Sequence, residues 1–216
     1  MFILPIGDIN THSKIPVTNY TILALNIGIF FVFYFSYDYE KIVQRFGLIP
    51  LSSQPITFVT SMFLHGGILH LFGNMLYLWI CGDNVEDRLG HFGFLLLYLA
   101  SGIAASLTHI HMTSMSEVPC IGASGAISGI LGAYVVLFPK NKIKFWYLFW
   151  FYLFFRMGTF TLASIWAISF WFLEQLLLGY FSHTAGVAYW AHIGGFVFGL
   201  VIAILLRLSR LARGGR

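Results

Sequence analysis

The amino-acid sequence predicts an all-α integral membrane protein, a bundle of six transmembrane helices with both termini cytoplasmic. Composition is the first reason. Hydrophobic residues make up 58% of the 216, against about 45–50% in a soluble domain. Charged residues make up only 9%, against about 25%. A soluble fold of this size cannot hide so much apolar surface. The second reason is patterning: the apolar residues fall into six runs between polar or charged breaks, and a helix needs about 20 apolar residues to cross a bilayer. The third is charge. A net charge of +4 and a pI near 9.1 would suggest nucleic acid in another protein, but here the basic residues flank hydrophobic runs, so topology explains them.

The opening MFILPIGDIN is too short, and too soon interrupted by Pro5 and Asp8, to be a cleaved signal. The first span runs over about 17–37 and is closed by Asp38, Glu40 and Lys41. A long connection with Pro50, Pro55 and adjacent serines leads to the second span, about 67–81. DNVEDRLGH then makes a polar break before the third, about 92–110. Its acids, Asp83, Glu86 and Asp87, read with Arg88 as a solvated cap on the inner end of the second helix, and Gly90 suits the chain reversal. The fourth span, about 121–138, stops at Pro139-Lys140. Phe145 to Phe155 is aromatic-rich between Lys144 and Arg156, the composition of an interfacial segment. The fifth span covers about 159–178 and the sixth about 188–206. No repeat, low-complexity tract or long polar linker intervenes, so residues 1–216 read as one domain with little outside the bilayer.

Six spans put both termini on one face. That face carries nine of the 12 Lys and Arg residues: Lys14, Arg88, Lys140, Lys142, Lys144, Arg207, Arg210, Arg213 and Arg216. The other carries Lys41 and Arg45, with Arg156 unassigned. The positive-inside rule makes the basic face cytoplasmic. Cys81 and Cys120 then lie at opposite ends of their spans and do not pair.

Helix rise converts sequence distance into depth. Ser124, in GASGAISG, stands 16 residues before Lys140, roughly 24 Å above the inner surface. His192, in AHIGGFVFG, stands 15 residues before Arg207, roughly 22 Å above it. His70 and Asn74, four apart on one helix face, lie between roughly 14 and 27 Å. An ionisable residue inside a span is by default a functional candidate. Gly195 and Gly199 form a GxxxG face that admits a close neighbour. If that neighbour is the glycine-rich start of the fourth span, Ser124 meets His192, and a serine beside a base is an activated nucleophile. The side chains of His70 and Asn74 and the backbone N–H of Ser124 are suitable oxyanion donors. No Asp or Glu stands at this depth near either partner, and the GxxxG packing says nothing about bringing the intramembrane Glu174 to His192, so the expected unit is a Ser–His dyad.

Five stretches, in this order and spacing, carry a resemblance: FGLIP at 46–50, HGGILHLFGN at 65–74, GDNVEDRLG at 82–90, GASG at 122–125 and AHIGGFVFG at 191–199. Together they resemble the rhomboid intramembrane serine proteases over nearly the whole chain. The resemblance implies a six-helix rhomboid-like bundle, with Ser124 as nucleophile, His192 as general base, and His70 and Asn74 in oxyanion-stabilising positions. It implies a multi-pass enzyme of the plasma membrane whose site opens to the extracytoplasmic side. Its substrates would be transmembrane helices, cleaved near a helix-destabilised stretch with small residues. They would enter laterally past the second and fifth spans, under a cap loop at about 181–189. Two positions depart from the pattern. Ser128 stands where some members carry an aromatic ring against the histidine, so another ring or a small polar contact must steady His192. The first loop lacks the Trp-Arg pair of some members, with Arg45-Phe46 the nearest basic-aromatic pair.

The remaining candidates read as structural. Ser128 is a packing or backbone-bonding serine, and His65 closes the loop against the second helix. His91, His109, His111 and His183 sit near span ends as interfacial residues. His and Cys do not cluster with metal-ligand spacing and no phosphate loop appears, so no cofactor, metal or nucleic-acid partner is expected. Two rivals are a catalytically silent rhomboid-like escort, which should lack the serine or histidine, and a small transporter with His192 as a proton relay, which should carry more intramembrane charge.

Overall fold

The computed structural model describes residues 1–9, 14–152, 154–181 and 186–214, the last five as backbone. Its elements in order are β1 (Phe2–Asp8), α1 (Val17–Phe33), α2 (Tyr39–Phe46), α3 (Thr57–Thr60), α4 (Ile68–Met112), α5 (Ser124–Leu137), β2 (Lys142–Phe151), β3 (Phe154–Ala163), α6 (Ser164–Phe181) and α7 (Tyr189–Gly214). Among the described residues, three helices are long and apolar enough to cross a membrane: Ile68–Met112, Ser164–Phe181 and Tyr189–Ser209. Val17–Phe33 and Ser124–Leu137 are apolar but shorter.

α5 is the axis of the bundle. Every residue from Gly125 to Val135 is buried, as expected of a helix apolar all round, and α4 and α7 pack against it. α1 instead buries one stripe, Asn19, Ile22, Asn26 and Phe30, the spacing of a single helix face, and lays it on α4. The two arms of α4 join at Gly90, whose φ of 75° and ψ of 166° turn the chain back. A residue with a Cβ enters that region at a cost, so glycine fits the reversal.

The segment DNVEDRLGH is therefore helical up to the kink, which corrects the expected polar break. Nor is Glu86 part of the expected solvated cap, although Asp83 and Asp87 are partly exposed. Glu86 is 1% exposed, and its carboxylate accepts the backbone N–H groups of Thr18 (2.8 Å) and Asn19 (2.6 Å). It thus caps the N-terminus of α1, where free N–H groups and the helix dipole favour an anion. His91 closes the same cluster through Nδ1 on Glu86.

The protein is not all-α. β1, β2 and β3 form an antiparallel sheet in that order, with Lys142 opposite Ala163 and Phe151 opposite Phe154 in the hairpin. Of the run expected to be an interfacial segment, 145–151 lie in this hairpin's first strand and 154–155 open its second, which also takes in residues 159–163, expected in the fifth span. The fifth apolar helix begins at Ser164, whose N–H donates to the Asn141 carbonyl and whose hydroxyl donates to that of Phe138. Aromatic and β-branched residues suit a pleated surface, and Pro5 is tolerated because β1 is an edge strand. At the end of β1, Asp8 accepts from Tyr134 and Asn84, both at 2.7 Å, and ties the sheet to α5 and α4. Residues 182–185, the centre of the expected cap loop, and with them His183, lie outside the described residues, as do the side chains of Arg210 and Arg213 and the whole of Arg216.

Candidate active site

The site is assembled where α5 begins. Leu48 and Cys120 exchange two backbone hydrogen bonds, of 3.0 and 2.8 Å, and Gly122 N–H donates to the Ser61 carbonyl at 2.9 Å. The FGLIP loop thereby braces the segment before the helix. Gly122 has φ +126°, and a Cβ there would meet His70 Nε2 at 2.7 Å, so only glycine fits both the backbone and the space. Ser124 is the first residue of α5, where the N–H has no partner within the helix. Ser128 donates its hydroxyl to the Ser124 carbonyl at 2.6 Å, the backbone-bonding role read from the sequence.

α7 reaches Ser124 because glycines face glycines. A Cβ on Gly195 would lie 2.0 Å from the Gly125 carbonyl oxygen, and one on Gly199 would lie 1.9 Å from that of Gly129. Small residues at such a contact let backbones touch. His192, one turn before this seam, has Nε2 2.8 Å from Ser124 Oγ. Two residues 68 apart in sequence are hydrogen-bonded.

His70 and Asn74 face the same place from α4. Gly66 N–H donates to His70 Nδ1 at 3.4 Å, which leaves the ring's proton on Nε2, beside Gly122. The Asn74 amide nitrogen is buried and makes no protein hydrogen bond, and it lies 3.6 Å from where a Gly122 Cβ would be. Both side chains thus stand against Gly122, two residues before Ser124.

Sequence reasoning missed the other side of the histidine. Gln175 of α6 places Oε1 2.8 Å from His192 Nδ1. Trp171, one turn earlier on the same face, sets its ring 6.0 Å from the imidazole, and Tyr189 stands edge-on at 6.5 Å. These are the rings that take the place of an aromatic at Ser128. Glu174, the acid considered instead, is exposed. The available signal was a pair four residues apart, Trp171 and Gln175, in an otherwise apolar helix.

His65 is 1% exposed, and its carbonyl accepts from the Tyr39 hydroxyl at 2.7 Å, so it does hold the first loop to the start of α4. Burial first, then neighbouring His70, push its imidazole down to about 3, which keeps it neutral. Arg45 lies over the Phe46 ring at 5.3 Å in the same loop. Cys81 and Cys120 are both free thiols. Among the described residues no three His, Cys, Asp or Glu side chains converge as a metal site.

A model of the Rhomboid domain family matches residues 52–209, the region that holds all four candidate residues. The chain belongs to the rhomboid family. Among curated relatives it is 32% identical over 145 residues to rhomboid protein 1, mitochondrial, of Saccharomyces cerevisiae, covering 64% of this chain and 41% of that one. It is 33% identical over 158 residues to the rhomboid protease GluP of Bacillus subtilis, covering 73% and 27%. It is 29% identical over 168 residues to presenilin-associated rhomboid-like protein A, mitochondrial, of Danio rerio, covering 73% and 41%. The matched region thus spans less than half the length of each of these rhomboid relatives.

Proposed function

We propose that this rhomboid is an intramembrane serine endopeptidase. The observation that carries the reading is the 2.8 Å contact between His192 Nε2 and Ser124 Oγ at a helix N-terminus. Ser124 Oγ attacks the scissile carbonyl as Nε2 takes its proton, since an unassisted hydroxyl is a poor nucleophile at neutral pH. The tetrahedral oxyanion takes hydrogen bonds from the Ser124 N–H, His70 Nε2 and the Asn74 amide. His192 then protonates the leaving amine, and a water attacks the acyl-enzyme by the same route in reverse. Its role requires no metal or cofactor.

The substrates proposed are transmembrane segments of other proteins, entering from the bilayer between α6 and the first arm of α4. The described residues act as one domain, with α1, the two arms of α4, α5, α6 and α7 as six spans. Both termini lie on the basic, cytoplasmic face, and the site opens to the opposite one. The expected plasma-membrane location draws no support from relatives named as mitochondrial.

The test is cleavage of a generic transmembrane substrate by the detergent-purified chain, with labelling by a fluorophosphonate. Wild-type protein should cleave and label, and Ser124→Ala should do neither. Cleavage or labelling that persists in Ser124→Ala overturns the nucleophile, and full activity in His192→Ala removes the base.

A further inference from the structure

We propose that Gln175 is the positioning residue of this site, a neutral third member that holds the proton of His192 on Nδ1 and so leaves Nε2 free to act on Ser124. The inference deepens the serine-protease reading and rests on it. Of the 18 residues of α6, three are buried, Ser164, Ile168 and Gln175, and Gln175 is 5% exposed. A buried amide needs a partner. Here the partner is His192 Nδ1, at 2.8 Å from Oε1.

An amide oxygen only accepts, so the N–H must belong to Nδ1. A neutral imidazole has one such proton, and the lone pair therefore sits on Nε2, facing Ser124 Oγ. With no acceptor at Nδ1, the ring can also carry its proton on Nε2, where it donates to Ser124 and cannot take the hydroxyl proton. Trp171, from the same face of α6, limits the ring's tilt, and Gln175 fixes its tautomer. A carboxylate would do both and would also stabilise the imidazolium, but a buried charge in a span is costly. The amide supplies direction without that cost. Gln175 meets Nδ1, not the nitrogen that faces Ser124, and acts through His192.

The experiment compares the full chain with Gln175→Leu and Gln175→Glu, in detergent. Gln175→Leu should lower kcat roughly tenfold, the equivalent of one hydrogen bond, with KM within about twofold. Gln175→Glu keeps an acceptor and should recover kcat to within about threefold at its optimum. It should also move the acid limb of the kcat profile to higher pH, because a carboxylate favours the protonated ring. Nitrogen-15 shifts of His192, measured in a Ser124→Ala background, should report Nδ1–H in the parent and mixed tautomers in Gln175→Leu. Wild-type kcat in Gln175→Leu, or an unchanged tautomer there, overturns the proposal. So does a Gln175→Glu chain that keeps its thermal midpoint and the wild-type acid limb, which decides the matter if the Leu variant does not fold. The tautomer measurement needs no turnover, so it stands apart from failure of the nucleophile assignment, which cleavage by Ser124→Ala would reveal.

Discussion

α7 meets α5 and α6 in different ways, and the difference separates precision from compliance. Against α5 the atoms in contact are backbone. Where Gly195 and Gly199 cross Gly125 and Gly129, an added Cβ would fall about a bond length and a half from a carbonyl oxygen, at 2.0 and 1.9 Å. Against α6 the contact is made by side chains, with Phe172 stacked on Phe196 and Gln175 on His192. Backbone contacts have no rotamers to adjust, so the first seam fixes where Ser124 and His192 sit. Side-chain contacts tolerate movement, and α6, buried at three positions, is better able to yield than α5, buried from Gly125 to Val135. In this rhomboid Ser124 and His192 meet on the rigid seam, and Gln175, which contacts His192, comes from the yielding one.

The largest effect should come from the chemistry alone. Ser124→Ala should lower cleavage by about four orders of magnitude or more with the thermal midpoint unchanged, because the hydroxyl is not part of the seam; parallel melting and cleavage assays check it. Next comes Gly199→Val, whose Cβ cannot fit beside the Gly129 carbonyl. It should cost about 1–3 kcal/mol and, by shifting His192 from Ser124, about a hundredfold in rate. A Gly199→Val chain with wild-type melting and activity would break the comparison outright.

Asn74→Ala sharpens the comparison from a third side. The buried amide nitrogen makes no protein hydrogen bond to lose, so kcat should fall by about two orders of magnitude while stability holds; a steady-state assay beside a melt reads both. The smallest effect belongs to the outward face of α6. Leu173 is 49% exposed, and Leu173→Ala should stay within about 0.5 kcal/mol in a thermal melt. A large loss there would mean that α6 is held more firmly than its few buried residues imply.

How far the sequence could be read varies with the physics behind each feature. The apolar runs at 17–37, 92–110 and 188–206 declare themselves because hydrocarbon admits few charges, and the helices at these places follow them closely. The residues 142–163 did not, because an aromatic-rich run between basic residues has the same composition as an interfacial segment and as a strand. Strand pairing is non-local, and β1 supplies it from the other end of the chain. Glu86 was read by its polar neighbours as solvated, whereas its partners, the N–H groups of Thr18 and Asn19, come from another helix.

At the site, Ser124 and His192 were legible together since both carry glycines that mark close approach and both lie at one depth. Gln175 was not, because an amide in a span reads equally well as packing. Which of Glu174 and Gln175 faces the histidine depends on the rotation of α6.

By itself, then, the sequence determined that the chain is built for a membrane, where its apolar runs lie and which serine and histidine share a level, because hydrophobicity and helix rise are local properties. Only the tertiary structure decided that a three-stranded sheet joins α5 to α6, that Glu86 caps α1 and that Gln175 meets His192. Each of these rests on groups far apart in the chain, and their meeting depends on how whole elements rotate and pack.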